Sequence, residues 1–214
     1  MRAIFLDRDG VICQNRSDHV KSWTEFEFLP GAKSGLAALS RLNLPIIVVT
    51  NQAVVGRGIV SARVVEEINR KMVEEITASG GRIDRVLYCP HRPEDNCDCR
   101  KPKPGMLLQA AAEMGLDLKA SYLIGDAMTD IQAGQQVGCH TILVLTGRGS
   151  EQLASSSHVS GGHSPLVFYD LLEAADYILK VHLGIIETSE PSDLAGYQQI
   201  PGSQFVSRLK NTRL

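Results

Sequence analysis

The first ten residues, MRAIFLDRDG, constrain this chain most. A short apolar run, Ala3-Ile4-Phe5-Leu6, is followed at once by Asp7-Arg8-Asp9-Gly10. A continuous apolar run of this length reads as a strand buried on both faces of a parallel sheet. Two aspartates then stand at its carboxyl end, where open α/β sheets hold their ligands. Like charges two residues apart are costly unless a cation sits between them. A hard divalent cation with oxygen ligands, Mg2+ in a phosphate site, answers that cost.

The rest of the chain repeats the pattern of apolar run and amphipathic helix that marks βαβ units. Strands are expected at 3–7, at Ile46-Ile47-Val48-Val49 running into Thr50-Asn51, from Ile83 to Tyr88, at Tyr122-Leu123-Ile124, and from Thr141 to Leu145. Helices are expected from Pro30-Gly31 to Arg41, from a Ser61 cap to Ser79, over 104–115, over 129–137 and over 168–181. Gly56 and Gly58 mark a loop, residues 89–103 a second, and the Gly/Ser-rich stretch 147–165 an exposed third. The fold class is α/β, a three-layer Rossmann-like sandwich on a mainly parallel sheet. Residues 1–183 read as one domain and 184–214 as a C-terminal tail, through which a homodimer is open beside a monomer.

Composition removes several function classes. With 24 acidic and 22 basic residues the net charge is −2, which offers no electrostatic footprint for nucleic acid. No apolar run reaches membrane-spanning length, and the chain enters a strand at once, so a cytoplasmic protein is expected.

Polar groups stand at three strand ends: Asp7 and Asp9, Thr50 and Asn51, and Asp126 with Asp130. A fourth element, Arg100-Lys101-Pro102-Lys103-Pro104, leads into a helix N-terminus suited to anions. Carboxylates, an alcohol, an amide and a lysine converging on one crevice suit phosphoryl transfer, where positioning and charge neutralisation do most of the work.

The motifs DRDG, VVTNQ, CRKPKPG and GDAMTD, in that order, resemble those of the haloacid dehalogenase (HAD) superfamily of phosphatases. The resemblance covers residues 1–147 and implies the roles. Asp7 is then the nucleophile that becomes an aspartyl-phosphate. Asp9 is the acid that protonates the leaving oxygen and the base that activates water. Thr50, Asn51 and Lys101 hold the transferring phosphoryl. Asp7, Asp126 and the carbonyl of Asp9 surround Mg2+, and Asp130 orients Lys101 or a water on the metal. Two unit charges ~4 Å apart repel by about 4 kcal/mol at an effective dielectric near 20, a barrier that a cation and Lys101 remove. To serve as an acid, Asp9 is expected to have a pKa raised by acidic neighbours and burial.

Cys89, His91, Cys97 and Cys99 offer three thiols and one imidazole within eleven positions. A closed Cys3His set is the donor pattern of a structural Zn2+; three reduced surface cysteines are the alternative. Fixing this loop would pre-organise Arg100 and Lys101, which follow it directly. The run CPHRPEDNCDCRKPKPGM resembles the zinc-bearing branch that holds the heptose bisphosphate phosphatases and the histidinol phosphatases, in which no large cap domain covers the site. The segment NQAVVGRG favours the heptose side, which implies a small phosphorylated sugar as substrate; histidinol phosphate is the alternative. Arg57 and Arg100 would fork onto a retained phosphate. Asn15, Arg16, Ser17 and Asp18, with Gln52 and Ala53, would border the sugar. Ala127 departs from the branch, which often carries a basic residue there. A phospho-accepting switch domain is the rival of another class, against which Asp9 argues. His19, His140, His158, His163 and His182 show no metal spacing.

Overall fold

A computed structural model describes residues 1–155 and 164–185. Residues 186–214 of the tail 184–214, together with His158 and His163, lie outside the described residues.

The elements follow in chain order as β1 (Ile4–Leu6), α1 (Ala32–Leu39), β2 (Ile46–Asn51), α2 (Ala53–Gly56), α3 (Ala62–Ala78), β3 (Arg85–Cys89), α4 (Gly105–Met114), β4 (Tyr122–Gly125), α5 (Met128–Gln136), β5 (His140–Val144), α6 (Gly149–Ser155), β6 (Leu166–Phe168) and α7 (Leu171–His182). Short 3-10 turns interrupt three of the connections. The six strands form one sheet in the order β3-β2-β1-β4-β5-β6, every pair parallel. The chain winds outward from β1 in both directions, so the strand order reverses beside β1. That reversal opens a crevice at the carboxyl ends of β1 and β4.

Strand alternation sorts the core into two layers. Ile4, Leu6, Ile46, Val48, Ile124, Ile142 and Val144 face α1, α3 and α7, and pack with Leu36, Leu39, Ile68, Met72, Leu171 and Ile178. Ala3, Phe5, Ile47, Val49 and Leu123 face the other way, onto Met106, Leu107 and Ala110 of α4 and Ala133 of α5. Both faces being covered explains why these strands read as unbroken apolar runs. The stripe Val65, Ile68, Met72 and Ile76 buries α3 as its period requires. Ser61 precedes that helix in an extended conformation, but its side chain makes no capping bond. Among the described residues no inserted cap domain covers the crevice. The connections 7–31 and 90–104 each carry a single 3-10 turn.

The exposed loop expected over 147–165 is corrected. Residues 149–155 form α6, tied by Gln152 Oε1 accepting from the Met128 N–H at 3.2 Å. Residues 156–163 lie outside the described residues. Leu166–Phe168 adds a sixth strand, paired to β5. The loop expected at Gly56 is also partly helical, as α2.

Candidate active site

The site grows out of strand ends. Asp7 follows β1, and its N–H donates to the Ile124 carbonyl at 2.9 Å, which locks it against β4. Asp126 follows β4 and is fully buried. Asp130 lies in the first turn of α5, where one of its carboxylate oxygens accepts the Ala127 N–H at 3.1 Å. The three carboxylates each place an oxygen within 4.8 Å of the others. The carboxylate of Asp9 is not in that group.

Lys101 neutralises part of this charge. Its ammonium, 3 % exposed, lies 2.6 Å from Asp130 Oδ1 and 3.0 Å from Asp7 Oδ1, and donates to the Val49 carbonyl at 2.7 Å. Asn51 sets the lysine's main chain: its Nδ2 donates to the Lys101 carbonyl at 3.0 Å and its Oδ1 accepts the Lys101 N–H at 3.1 Å. The Asn51 amide is therefore engaged by the lysine loop rather than free in the crevice.

Two glycines let the chain close around Asp126. A Cβ on Gly10 would stand 2.0 Å from Asp126 Oδ2, and one on Gly147 would stand 2.2 Å from it. Both residues also take positive φ, 89° and 57°, which glycine alone adopts without strain. Asp126 Oδ2 accepts the Arg148 N–H at 2.8 Å and the Asn15 Nδ2 at 3.4 Å. Its Oδ1 is buried with no hydrogen-bond partner. An orphaned carboxylate oxygen is costly to bury, and the same Asp126 carboxylate offers an oxygen beside those of Asp7 and Asp130. An all-oxygen donor set of this charge fits a hard divalent cation such as Mg2+.

Burial pushes Asp7 up to about 7; Lys101 opposes the rise, while Asp130, Asp126 and Asp9 add to it. Burial likewise carries Asp126 to about 6, against the Arg148 N–H. Burial would lower Lys101, but Asp130 and Asp7 outweigh it and raise the ammonium above its ordinary value.

Asp9 corrects an expectation. Burial does push its pKa up, but the charge of Arg8 and hydrogen bonds from Arg8, Gln52 and Cys13 win, and the carboxyl lies below its ordinary value. Gln52 Nε2 donates to Asp9 Oδ2 at 2.8 Å and to Thr50 Oγ1 at 2.9 Å, and Thr50 Oγ1 lies 3.4 Å from the same oxygen. Gln52 thus faces Asp9 from within the protein. Ala53 is buried at the start of α2.

The remaining predicted contacts lie around the mouth. Arg16 pairs with Asp18 at 3.2 Å, and Lys21 pairs with the same carboxylate; Ser17 is exposed. Arg57 Nη1 lies 3.3 Å from His19 Nε2, and Arg100 donates to the His91 carbonyl at 3.2 Å. His19 holds φ at 65°, a left-handed conformation uncommon outside glycine. Sequence reading left without a role the buried Arg8, the cradle of Gly10 and Gly147, and the Arg148 N–H.

Cys89, His91, Cys97 and Cys99 also converge within 4.8 Å. Their sulfurs lie 3.2 to 3.5 Å apart and all remain thiols. His91 Nδ1 is 3.3 Å from Cys99 and 3.6 Å from Cys89. Three sulfurs and one imidazole nitrogen around one point fit Zn2+.

Comparison with known proteins places the chain in a family. Residues 98–174 match the HAD-hydrolase-like family model. The D-glycero-beta-D-manno-heptose-1,7-bisphosphate 7-phosphatase of Pseudomonas aeruginosa is 36% identical over 177 residues, 83% of this chain and 97% of that protein. Its counterpart from Neisseria meningitidis serogroup A is 38% identical over 180 residues, 84% of this chain and 96% of its own length. The chain belongs to this family of HAD-like phosphatases. The crystal structure of a family member, the D,D-heptose 1,7-bisphosphate phosphatase from B. bronchiseptica complexed with magnesium and phosphate, superposes with a TM-score of 0.79 at 37% identity. It covers 84% of this chain and 99% of the crystal chain.

Proposed function

We propose that the chain is a Mg2+-dependent phosphomonoesterase that removes the 7-phosphate of D-glycero-D-manno-heptose 1,7-bisphosphate through an aspartyl-phosphate. The observation that carries this reading is the meeting of Asp7, Asp126, Asp130 and Lys101 in one buried pocket at the strand-order reversal. The substrate is supported by relatives of that name that match over most of their length.

Asp7 is taken as the nucleophile, with its carboxylate oxygen attacking phosphorus. Asp7, Asp126 and the carbonyl of Asp9 would hold Mg2+, which neutralises the carboxylates and the incoming phosphate. Lys101, aimed by Asp130 and by Asn51, would bind a phosphoryl oxygen, with Thr50 on another side. Asp9 gives a proton to the leaving oxygen and then takes one from the attacking water. Arg8 holds its carboxyl below the ordinary value, and a phosphate dianion docked beside it would raise its proton affinity. Arg57 and Arg100 are taken as contacts of the retained phosphate, and residues 15–18 as the border of the sugar. Zn2+ on Cys89, His91, Cys97 and Cys99 is proposed as structural, stiffening the loop that delivers Arg100 and Lys101. Residues 1–183 are read as the phosphatase body, which the extent of the family match supports, in the cytoplasm. Among the described residues no helix is long and apolar enough to cross a membrane.

The test is phosphate release across a panel of sugar phosphates and histidinol phosphate, with and without Mg2+. The heptose bisphosphate is expected to give the highest kcat/KM, and only with the metal present. Asp7→Asn is expected to abolish turnover while the fold survives. Wild-type activity in that variant would remove the nucleophile from the scheme.

A further inference from the structure

Arg8 is among the largest fully buried side chains of the molecule. It stands between two aspartates in sequence, yet its side chain contacts only one of them. Nε donates to Asp9 Oδ2 at 3.1 Å, and Nη2 lies 3.2 Å from Oδ1 and 3.0 Å from Oδ2. Nη1 donates to Asn69 Oδ1 at 2.9 Å. Asn69 is itself buried, an amide on the apolar stripe of α3 beside Val65, Ile68 and Met72. A charged group taken wholly out of water is expensive unless it is paired and its donors are satisfied. Removing Arg8 alone would leave the Asp9 carboxylate and the Asn69 amide without their partner, so the burial of this cation is tied to the carboxylate it faces.

We propose that Arg8 is a positioning residue for proton transfer: its guanidinium clamps the Asp9 carboxylate at two points, and Asn69 holds the clamp from α3. This rests on the assignment of Asp9 as acid and base. Asp9 sits on a loop after β1, where its side chain would otherwise choose among rotamers. A planar fork fixes both oxygens of a carboxylate, which a lysine ammonium does not. Gln52 and Thr50 meet the same carboxylate from β2 and its end, so Asp9 is held from two directions. In the first half-reaction a bond forms from Asp7 oxygen to phosphorus, the bond from phosphorus to the leaving oxygen breaks, and the Asp9 proton passes to that oxygen. In the second, water oxygen bonds phosphorus, its proton passes to Asp9, and Asp7 is released as carboxylate. Both transfers require the Asp9 oxygen in line, and small misplacements are costly in rate.

The leaving group separates positioning from mere scaffolding. Nitrophenolate departs without a proton, whereas a sugar alkoxide does not. With the full chain and Mg2+, Asn69→Ala and Arg8→Lys should keep the burst of nitrophenol from p-nitrophenyl phosphate within about twofold of wild type. In the same variants, single-turnover cleavage of the heptose bisphosphate should fall by about tenfold or more, with KM little changed. Arg8→Met should show the same selectivity with a larger loss; if it does not fold, the two milder variants decide. An equal loss on both substrates, a change in KM alone, or no change would overturn the assignment. Asp9→Asn is run alongside. Selective loss there, with both milder variants fully active, overturns the role of Arg8 alone; absence of selectivity in Asp9→Asn removes the acid–base reading itself.

Discussion

At the scale of single residues, the pocket is arranged around unequal carboxylates. Asp7 and Asp126 are pushed upward by burial, Asp9 is held down by Arg8, and Lys101 is shared between Asp7 and Asp130. A raised carboxyl prefers its proton in the folded state. For Asp7 this contribution to the metal-free fold is present at low pH and is lost as pH climbs from the ordinary 3.8 through about 7. A cation works in the opposite sense, because it must displace that proton. Calorimetry at pH 5.5 in two buffers of different ionisation heat should therefore show proton release on Mg2+ binding. The Mg2+-induced rise in Tm should grow between pH 5.5 and 7.5. A shift that shrinks with pH would contradict the assignment of Asp7 as a ligand. The glycine cradle makes a second residue-scale prediction. Gly147→Ala introduces a Cβ 2.2 Å from Asp126 Oδ2 at a φ of 57°. It should cost about 1–3 kcal/mol in urea unfolding and weaken Mg2+ binding in the same variant.

Elements show where the sequence was informative. β1, β2, β4 and β5 were legible because burial on both faces leaves an unbroken apolar signature, and the polar residues that follow each run mark its end. α6 and β6 were hidden by local composition: Gly149-Ser150 is a poor helix start, and Leu166-Val167-Phe168 is too short to stand out. The burial of Arg8 was illegible for another reason. Arginine is rarely buried unless paired, and its partner Asn69 lies 61 residues away on a different element. The same omission reversed the expected direction for Asp9, since its acidic neighbours and its burial were weighed without the Arg8 cation. The cysteine loop, by contrast, was legible from spacing alone as a converging group. If it binds Zn2+, Cys99→Ser should lose the metal in elemental analysis and become open to proteases between residues 90 and 100. Its kcat should fall by about tenfold or more as Lys101 loses its support, with little change in the unfolding of the core. Undiminished activity without zinc would leave the loop with no part in placing the lysine.

For the whole molecule, one sheet separates two independent cores. Leu36 lies in the layer built by α1, α3 and α7, and Leu107 in the layer under α4 and α5. Leu36→Ala and Leu107→Ala should each cost about 2–5 kcal/mol. Their double variant should sum to within about 0.5 kcal/mol, because the two side chains lie in separate clusters on opposite faces of the sheet. Equilibrium denaturation of the three variants measures this directly. A large departure from additivity would mean that the two layers communicate through the central strands.

The position of β1 reaches beyond stability. Asp7 is bonded into the middle of the sheet, whereas Arg16, Asp18 and Arg57 ride on connections at its rim. Amides of the first kind are expected to exchange with solvent only on global opening, and those of the second by local fluctuation. On the proposed assignment, bond cleavage is anchored in the hydrogen-bonded centre of the sheet, and selection of what is cleaved is left to connections at its rim. On that assignment, substitutions at the rim are expected to change which sugar is accepted while the cutting centre stays untouched.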